Sequence, residues 1–152
     1  MIPADQLFAA FKKVRITVVG DLMLDHYLFG EASRISPEAP VPIVRETSHQ
    51  YMPGGAGNVA ANLGRLGVKT QLLGLYGEDE AGQRLQRALS DSGVGLCQEG
   101  CQKEYDTIVK TRVVAMRQQL CRIDREPAID GEPLSSCMDD AILEELVSNA
   151  DA

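Results

Sequence analysis

Arg15 to Gly20 reads RITVVG, a β-branched run closed by glycine, and such a run suits a strand buried on both faces of a parallel sheet. It is expected to be the first central strand, and it constrains the rest of the chain, because parallel neighbours need crossover connections rather than tight turns. From Gly57 to Gly67, Val59, Leu63 and Leu66 fall on one face, Ala60 and Ala61 permit close packing on a sheet, and Gly67 provides a stop. Thr70 to Tyr76 (TQLLGLY) reads as a second buried strand, and Ala81, Leu85 and Leu89 mark a second helix ending at Gly93. The usual solution for this order is an α/β sheet with right-handed crossovers.

Other segments interrupt that alternation. His26 to Gly30 and Val41 to Glu46 are short strand-like stretches on either side of Ile35-Ser36-Pro37-Glu38-Ala39-Pro40-Val41-Pro42, whose prolines exclude a central-strand position. They are expected as edge or lid strands projecting from the main sheet. Thr107 to Val114 and Leu120 to Asp124 flank Arg117-Gln118-Gln119 and predict a hairpin. Ser136 followed by Asp139 caps a last helix with Met138, Ile142 and Leu146 on one side, and no returning strand is expected after it. Leu7, Phe11 and Val14, broken by Asp5, Lys12 and Lys13, describe an amphipathic N-terminal helix rather than a signal peptide.

Composition removes several function classes. The 152 residues are 44% hydrophobic, enough for one core, and carry a formal charge of −7, so nucleic acid and acidic membranes are not expected partners. No uncharged apolar run approaches the roughly 18 residues a bilayer requires, which predicts a soluble, cytoplasmic protein. Cys97, Cys101, Cys121 and Cys137 lack zinc-site spacing and are read as reduced, mostly buried thiols.

The densest motif is Pro53-Gly54-Gly55-Ala56-Gly57-Asn58-Val59-Ala60, a glycine cluster opening a helix, where backbone can approach an oxygen-rich ligand closely. Three readings compete. A dinucleotide fingerprint (Gly55-x-Gly57-x-x-Ala60, with Glu78-Asp79 further on) should come directly after a buried strand, whereas Thr47 to Gln50 is polar and Pro53 interrupts; a P-loop fails for want of Gly-Lys-Ser/Thr. A purely structural turn is the second. The third is sugar binding: Asp21 and Asp25 lie after the strand end in GDLMLD, a carboxylate there can accept bonds from vicinal hydroxyls, and Asn58 can donate and accept. Asp21 by itself reads equally as a cap. His26 and His49 have no paired acid or nucleophile and are read as structural or surface residues.

Gly54-Gly55-Ala56-Gly57-Asn58-Val59-Ala60, with Gly67 and Gly77 beyond, resembles the first signature of the ribokinase-like carbohydrate kinases, the phosphofructokinase B group. Within that group, Arg34 to Pro42, Thr107 to Arg112, Gln118-Gln119 and Arg122-Ile123-Asp124 are similar to the kinase domains of bifunctional ADP-heptose synthases, from about Lys13 onward. The resemblance implies a three-layer α/β/α sandwich with a projecting β lid, lid strands near 26–46 and 107–125, and residues 1–152 as the N-terminal portion of one sugar kinase domain. It implies transfer of the ATP γ-phosphoryl group to the anomeric oxygen of D-glycero-β-D-manno-heptose 7-phosphate, toward lipopolysaccharide core. Asp25, Gly54, Gly55 and Asn58 are carried over as sugar contacts. ATP and Mg2+ are implied for the complete enzyme, with no residue of this chain assigned to either, and a homodimer is expected through the lid strands.

Lys110 and Arg112, two apart on a strand, project from the same face and could clamp a dianionic phosphate, here the acceptor's own 7-phosphate; the bland alternative is a solvated lid face. Gln118 and Gln119 could add neutral hydrogen bonds or simply cover a polar tip. The family's Gly-Ala-Gly-Asp segment, whose aspartate acts as base, does not occur between Met1 and Ala152. The chain alone is therefore expected to be inactive as a kinase, incomplete at its C-terminal side, and prone to self-association through an uncovered sheet edge. Another ribokinase-like sugar kinase, a non-catalytic sugar-binding or dimerisation module and, more remotely, a nucleotide-binding dehydrogenase are the rivals.

Overall fold

The structure, a computed structural model, describes residues 3–127 and 140–152. Helix α1 (Ala4–Phe11) leads into β1 (Arg15–Val19), which pairs in parallel with β4 (Lys69–Leu73), and β4 pairs in parallel with β6 (Val94–Leu96), so the body sheet has the order β1-β4-β6. Between these strands run α2 (Ala56–Arg65) and α3 (Glu80–Ser90). The alternating pleat of β4 explains the layering. Leu72 points into a core with Ala60, Ala61, Leu85 and Leu89 from the two crossover helices, while Leu73 points the other way, onto Leu146 of α4 (Asp140–Ser148). Helices thus cover both faces of a parallel sheet, an α/β arrangement.

Small residues set how α2 sits. Its buried positions are Gly57, Ala60 and Ala61, and a Cβ on Gly64 would collide with the Ser92 carbonyl. The helix therefore lies close on the sheet through its small side, and Val59 and Leu66, expected on the core face, are 52% and 44% exposed. In α3 the expected face is observed, with Ala81, Leu85 and Leu89 buried.

The sheet edge also differs from expectation. The Asp151 amide donates to the Arg15 carbonyl at 2.8 Å and the Thr17 amide donates to the Ala152 carbonyl at 3.0 Å, so the residues after α4 return to β1 and occupy its outer edge. The Asp151 carboxylate accepts from the Arg15 amide as well, at 2.9 Å. Residues 15 and 17 are thereby bonded on the outer side, but β1 is the outermost strand of the order β1-β4-β6 and its side chains are half-buried to exposed, Val19 being 50% exposed, so the expected central strand buried on both faces is β4 rather than β1. The proposed Ser136–Asp139 cap, Met138 and Cys137 lie outside the described residues. Of the other thiols, Cys97 and Cys101 are half-buried and Cys121 is exposed, so burial was overestimated; all three are free, and desolvation pushes the Cys97 thiol up.

A second sheet carries the lid, in the order β3-β2-β8-β9. Strands β2 (Leu22–Ile35) and β3 (Pro42–Gly55) form one antiparallel ribbon, far longer than the two short stretches expected from sequence. Pro42 and Pro53 are tolerated because β3 is an edge strand. Strands β8 (Ile108–Ala115) and β9 (Gln118–Arg125) form the hairpin, turning on Met116 and Arg117, both with positive φ (50° and 62°). Gln118 and Gln119 thus belong to the strand rather than the turn. β2 and β8 run parallel, Met23 beside Ile108 through Gly30 beside Ala115. Two further short strands, β5 (Tyr76–Gly77) and β7 (Cys101–Gln102), pair between body and lid.

The hairpin is tied to the body at one polar node. Asp79 caps α3 by accepting from the Gly82 amide at 2.8 Å, and also accepts from the fully buried Thr107 hydroxyl at 2.6 Å and from Arg125 Nη2 at 3.0 Å; the Thr107 oxygen in turn accepts from the Gly77 amide at 2.8 Å. Replacing Thr107 by valine keeps the shape, takes the acceptor from the Gly77 amide and one donor from Asp79, which keeps Gly82 and Arg125, so Thr107→Val is expected to cost about 1–3 kcal/mol. A fall in the urea midpoint at unchanged m-value would register it; an unshifted midpoint would show that the node contributes nothing.

Candidate functional site

Each strand of the lid presents alternate residues to opposite faces. One face carries Met23, Asp25 and Tyr27 of β2, with Gly54 of β3 beside Met23 and, across the parallel ladder, Lys110 beside Asp25 and Arg112 beside Tyr27. Asp25 is the centre of this face. Arg112 Nη1 donates to its Oδ1 at 2.5 Å, both side chains about four-fifths buried, and the guanidinium also lies 5.2 Å from the Tyr27 ring centroid. Hydrogen bonding to Asp25 holds Arg112 firmly charged, above the ordinary arginine range.

The other carboxylate oxygen faces Gly54. A Cβ at that position would stand 2.8 Å from Asp25 Oδ2 and 2.7 Å from Met23 Cγ, so the absence of a side chain is what leaves the acid room. Gly55 has φ +57° and ψ −134°, a conformation open to glycine, and a Cβ there would approach the Asp21 carbonyl at 2.5 Å. That same carbonyl accepts from the Ala56 amide at 3.0 Å, which fixes the entry into α2. Asp21 is exposed and serves the turn through its backbone. Asn58 stands exposed in the first turn of α2, with its side-chain oxygen accepting from Asn62 Nδ2 at 3.4 Å.

Lys110 and Arg112 do share a face, but neither waits for a ligand unpaired. Lys110 Nζ donates to Asp124 at 3.4 Å and to Glu126 at 3.2 Å, while Arg112 is engaged by Asp25. Spacing on one strand revealed the cations; the acids that answer them come from β2, β9 and the residue just past β9, which that spacing does not report.

The opposite face holds residues the sequence did not single out as a group. The His26 ring stacks on Tyr51 at 4.4 Å and 14°, its Nδ1 is 3.3 Å from the Thr111 hydroxyl, and Arg84 of α3 lies 4.4 Å from the Tyr51 centroid. His26, Tyr51 and Arg84, with Leu24, Val109, Asp79, Glu80 and Arg125, line a cleft of about 190 Å³ between lid and α3. Asp79, one of the two acids of the dinucleotide reading, is consumed by the α3 cap and Thr107. The glycine cluster does come directly after a strand, but an exposed antiparallel edge strand, so the dinucleotide fingerprint still lacks its setting. Only the register of β2 with β3 and β8 could have revealed the stack.

His26 has a titration consequence. Burial, and after it the neighbouring His49, hold its pKa below the ordinary histidine value; Glu46 opposes and Arg84 reinforces. The unfolded chain therefore takes up the proton first, so the stabilisation from neutral His26 is fully present above about pH 6.5 and is lost as pH falls through the lower folded value. In His26→Gln, whose amide can still meet Thr111, Tm is expected to fall less between pH 7.5 and 5.5 than in the parent. Parallel falls in both proteins would assign the dependence to other groups.

Among the described residues no group of three or more His, Cys, Asp or Glu side chains is arranged to hold a metal ion, and no helix is long and apolar enough to cross a membrane. The profile of the pfkB family carbohydrate kinases matches residues 13–151. The chain is 53% identical over 127 residues to the bifunctional protein HldE of Methylococcus capsulatus, covering 82% of this chain and 27% of that protein. Against the bifunctional protein HldE of Escherichia coli O157:H7 it is 42% identical over 135 residues, covering 87% and 28%. The chain thus spans about a quarter of the length of these relatives. Among solved structures, Arabidopsis thaliana ribokinase complexed with ribose and ATP superposes with a TM-score of 0.64 at 24% identity, covering 90% of this chain and 43% of that one. A putative sugar kinase from Clostridium perfringens gives 0.59 at 17% identity, covering 90% and 48%.

Proposed function

Because the chain belongs to the pfkB family of carbohydrate kinases, we propose that it forms the acceptor-binding part of a kinase that phosphorylates D-glycero-β-D-manno-heptose 7-phosphate at its anomeric oxygen. The observation that carries this reading is the Asp25 carboxylate, held by Arg112 on one oxygen and kept clear by Gly54 on the other. A carboxylate so fixed can accept from sugar hydroxyls, with Gly55 backbone and Asn58 at the adjoining helix start within the same turn of chain. Phosphoryl transfer depends mainly on positioning and on electrostatic stabilisation, and a preset acceptor site supplies the first.

The kinase would draw on ATP and Mg2+, and no residue of this chain is assigned to either. The Gly-Ala-Gly-Asp segment that would supply the base does not occur in the 152 residues. This chain by itself is therefore proposed to bind acceptor without turning over ATP. Another sugar acceptor is the nearest rival, and a sugar-binding or dimerisation module without catalysis is the rival of a different class.

Calorimetric titration with heptose 7-phosphate and with unphosphorylated heptose tests the proposal. Asp25→Asn is expected to weaken both ligands roughly tenfold or more, since a hydrogen bond to a charged group contributes about 1.5–3 kcal/mol. The Lys110→Ala, Arg112→Ala double variant is expected to weaken the phosphorylated ligand more than the unphosphorylated one, which loses only the Arg112 bond that fixes Asp25. A folded parent chain that binds neither sugar would remove the reading, and ATP hydrolysis stimulated by heptose 7-phosphate would contradict the inactivity of the isolated chain. Pairing of two copies through the lid is read separately by sedimentation equilibrium, where a monomer throughout the micromolar range would exclude it.

A further inference from the structure

In the β8–β9 ladder Arg112 lies directly opposite Arg122, and Lys110 directly opposite Asp124. All four stand on the Asp25 face of the lid. Like charges placed opposite each other destabilise an antiparallel pair, so two facing arginines need compensation. Arg112 has Asp25. Arg122 turns along its own strand onto Asp124, with Nε at 2.8 Å and Nη2 at 3.0 Å, and Asp124 Oδ2 also receives Lys110 at 3.4 Å. Bonding to Arg122, and then to Lys110, holds the Asp124 carboxyl below the usual range. Three cations, Lys110, Arg112 and Arg122, are therefore balanced by Asp25, Asp124 and Glu126, with Arg122 half exposed and Asp124 28% exposed at the open end of the set.

We propose that Arg122 is a second guanidinium contact for the acceptor's phosphate, facing Arg112 across the hairpin, and that Asp124 is the built-in counter-ion which the phosphate displaces from it. This rests on, and deepens, the acceptor assignment above. A guanidinium fork matches two phosphate oxygens as it matches two carboxylate oxygens. A phosphate monoester carries about −1.5 to −2 at neutral pH against −1 for the carboxylate, so exchange on Arg122 places more negative charge among the three cations while Asp124 keeps Lys110. A neutral sugar offers no such gain. Arg122 thereby favours a phosphorylated acceptor over a neutral one, while Asp124 holds its guanidinium in place and competes with the phosphate for it, and Asp25 remains with Arg112 to receive hydroxyls.

The test titrates the 152-residue chain with inorganic phosphate, heptose 7-phosphate and heptose, using Arg122→Ala, Arg122→Lys and Asp124→Asn, each checked for an unchanged thermal melt. Arg122→Ala is expected to lose roughly tenfold or more in affinity for both phosphate ligands with heptose unaffected, on the scale of one charge-assisted contact. Arg122→Lys should regain part of the loss. Asp124→Asn should bind inorganic phosphate more tightly, and the Arg122→Ala, Asp124→Asn double variant, which removes the leftover acid, should not regain parental affinity. Parental affinity for heptose 7-phosphate in Arg122→Ala, or weaker phosphate binding in Asp124→Asn, would overturn the inference. Phosphate binding with these variant effects but no binding of heptose 7-phosphate would leave the anion site standing and remove the acceptor assignment, and a parent chain that binds neither would overturn both.

Discussion

Everything in this molecule that concerns a ligand depends on β2 being paired along both of its edges. Antiparallel to β3 and parallel to β8, it has no free backbone edge in the stretch that bears Asp25, and its first residues, Leu22 and Leu24, are buried in the body core with Leu72, Leu85 and Leu89. One strand therefore starts as core and ends as lid. The position of Asp25 is inherited from the core through a few residues of regular strand, and its neighbours Gly54, Lys110 and Arg112 are placed by the two ladders rather than by flexible loops. Sites built on such paired elements are held more tightly than sites on loops.

The polar face of the lid is close to charge-balanced without any ligand. Each of Lys110, Arg112 and Arg122 meets an acid, Asp25 for Arg112 and a shared Asp124 for the other two, and these pairs are partly buried, where attraction is less screened than on open surface. Such balance lets a strongly charged four-stranded sheet form in the first place. It also means that a phosphate would bind by exchange, so that affinity depends on the difference between two anions rather than on positive charge alone. The reverse face is held differently: His26, Tyr51 and Arg84 stack against one another and join β2, β3 and α3, while Asp79 and Thr107 fasten the hairpin at its base.

The body was largely legible in the chain, because its signals are local. RITVVG and the Ala81, Leu85, Leu89 spacing each specify an element by periodicity, TQLLGLY divides after Leu73 into β4 and the separate β5, and the elements alternate in an order with few solutions. The face of α2 was misjudged because hydrophobicity pointed to Val59 and Leu66 whereas packing distance selected Gly57, Ala60 and Ala61. The lid was legible in kind but not in extent. Thr47 to Gln50 is polar and Pro53 has no amide hydrogen, so the run carries no strand pattern of its own, and it is extended because β2 pairs with it.

Residue type and short spacing were enough for the α/β class, for the glycine cluster that opens α2, for the resemblance to the family and for two cations on one side of β8. Only the tertiary structure decided which acids those cations meet, that Arg122 stands opposite Arg112, that His26 lies flat on Tyr51, and that residues 151 and 152 return to the edge of β1. Those pairs are separated by between 10 and 136 positions along the chain. Register between strands so distant is set by the summed fit of whole faces, not by any property that a single residue carries.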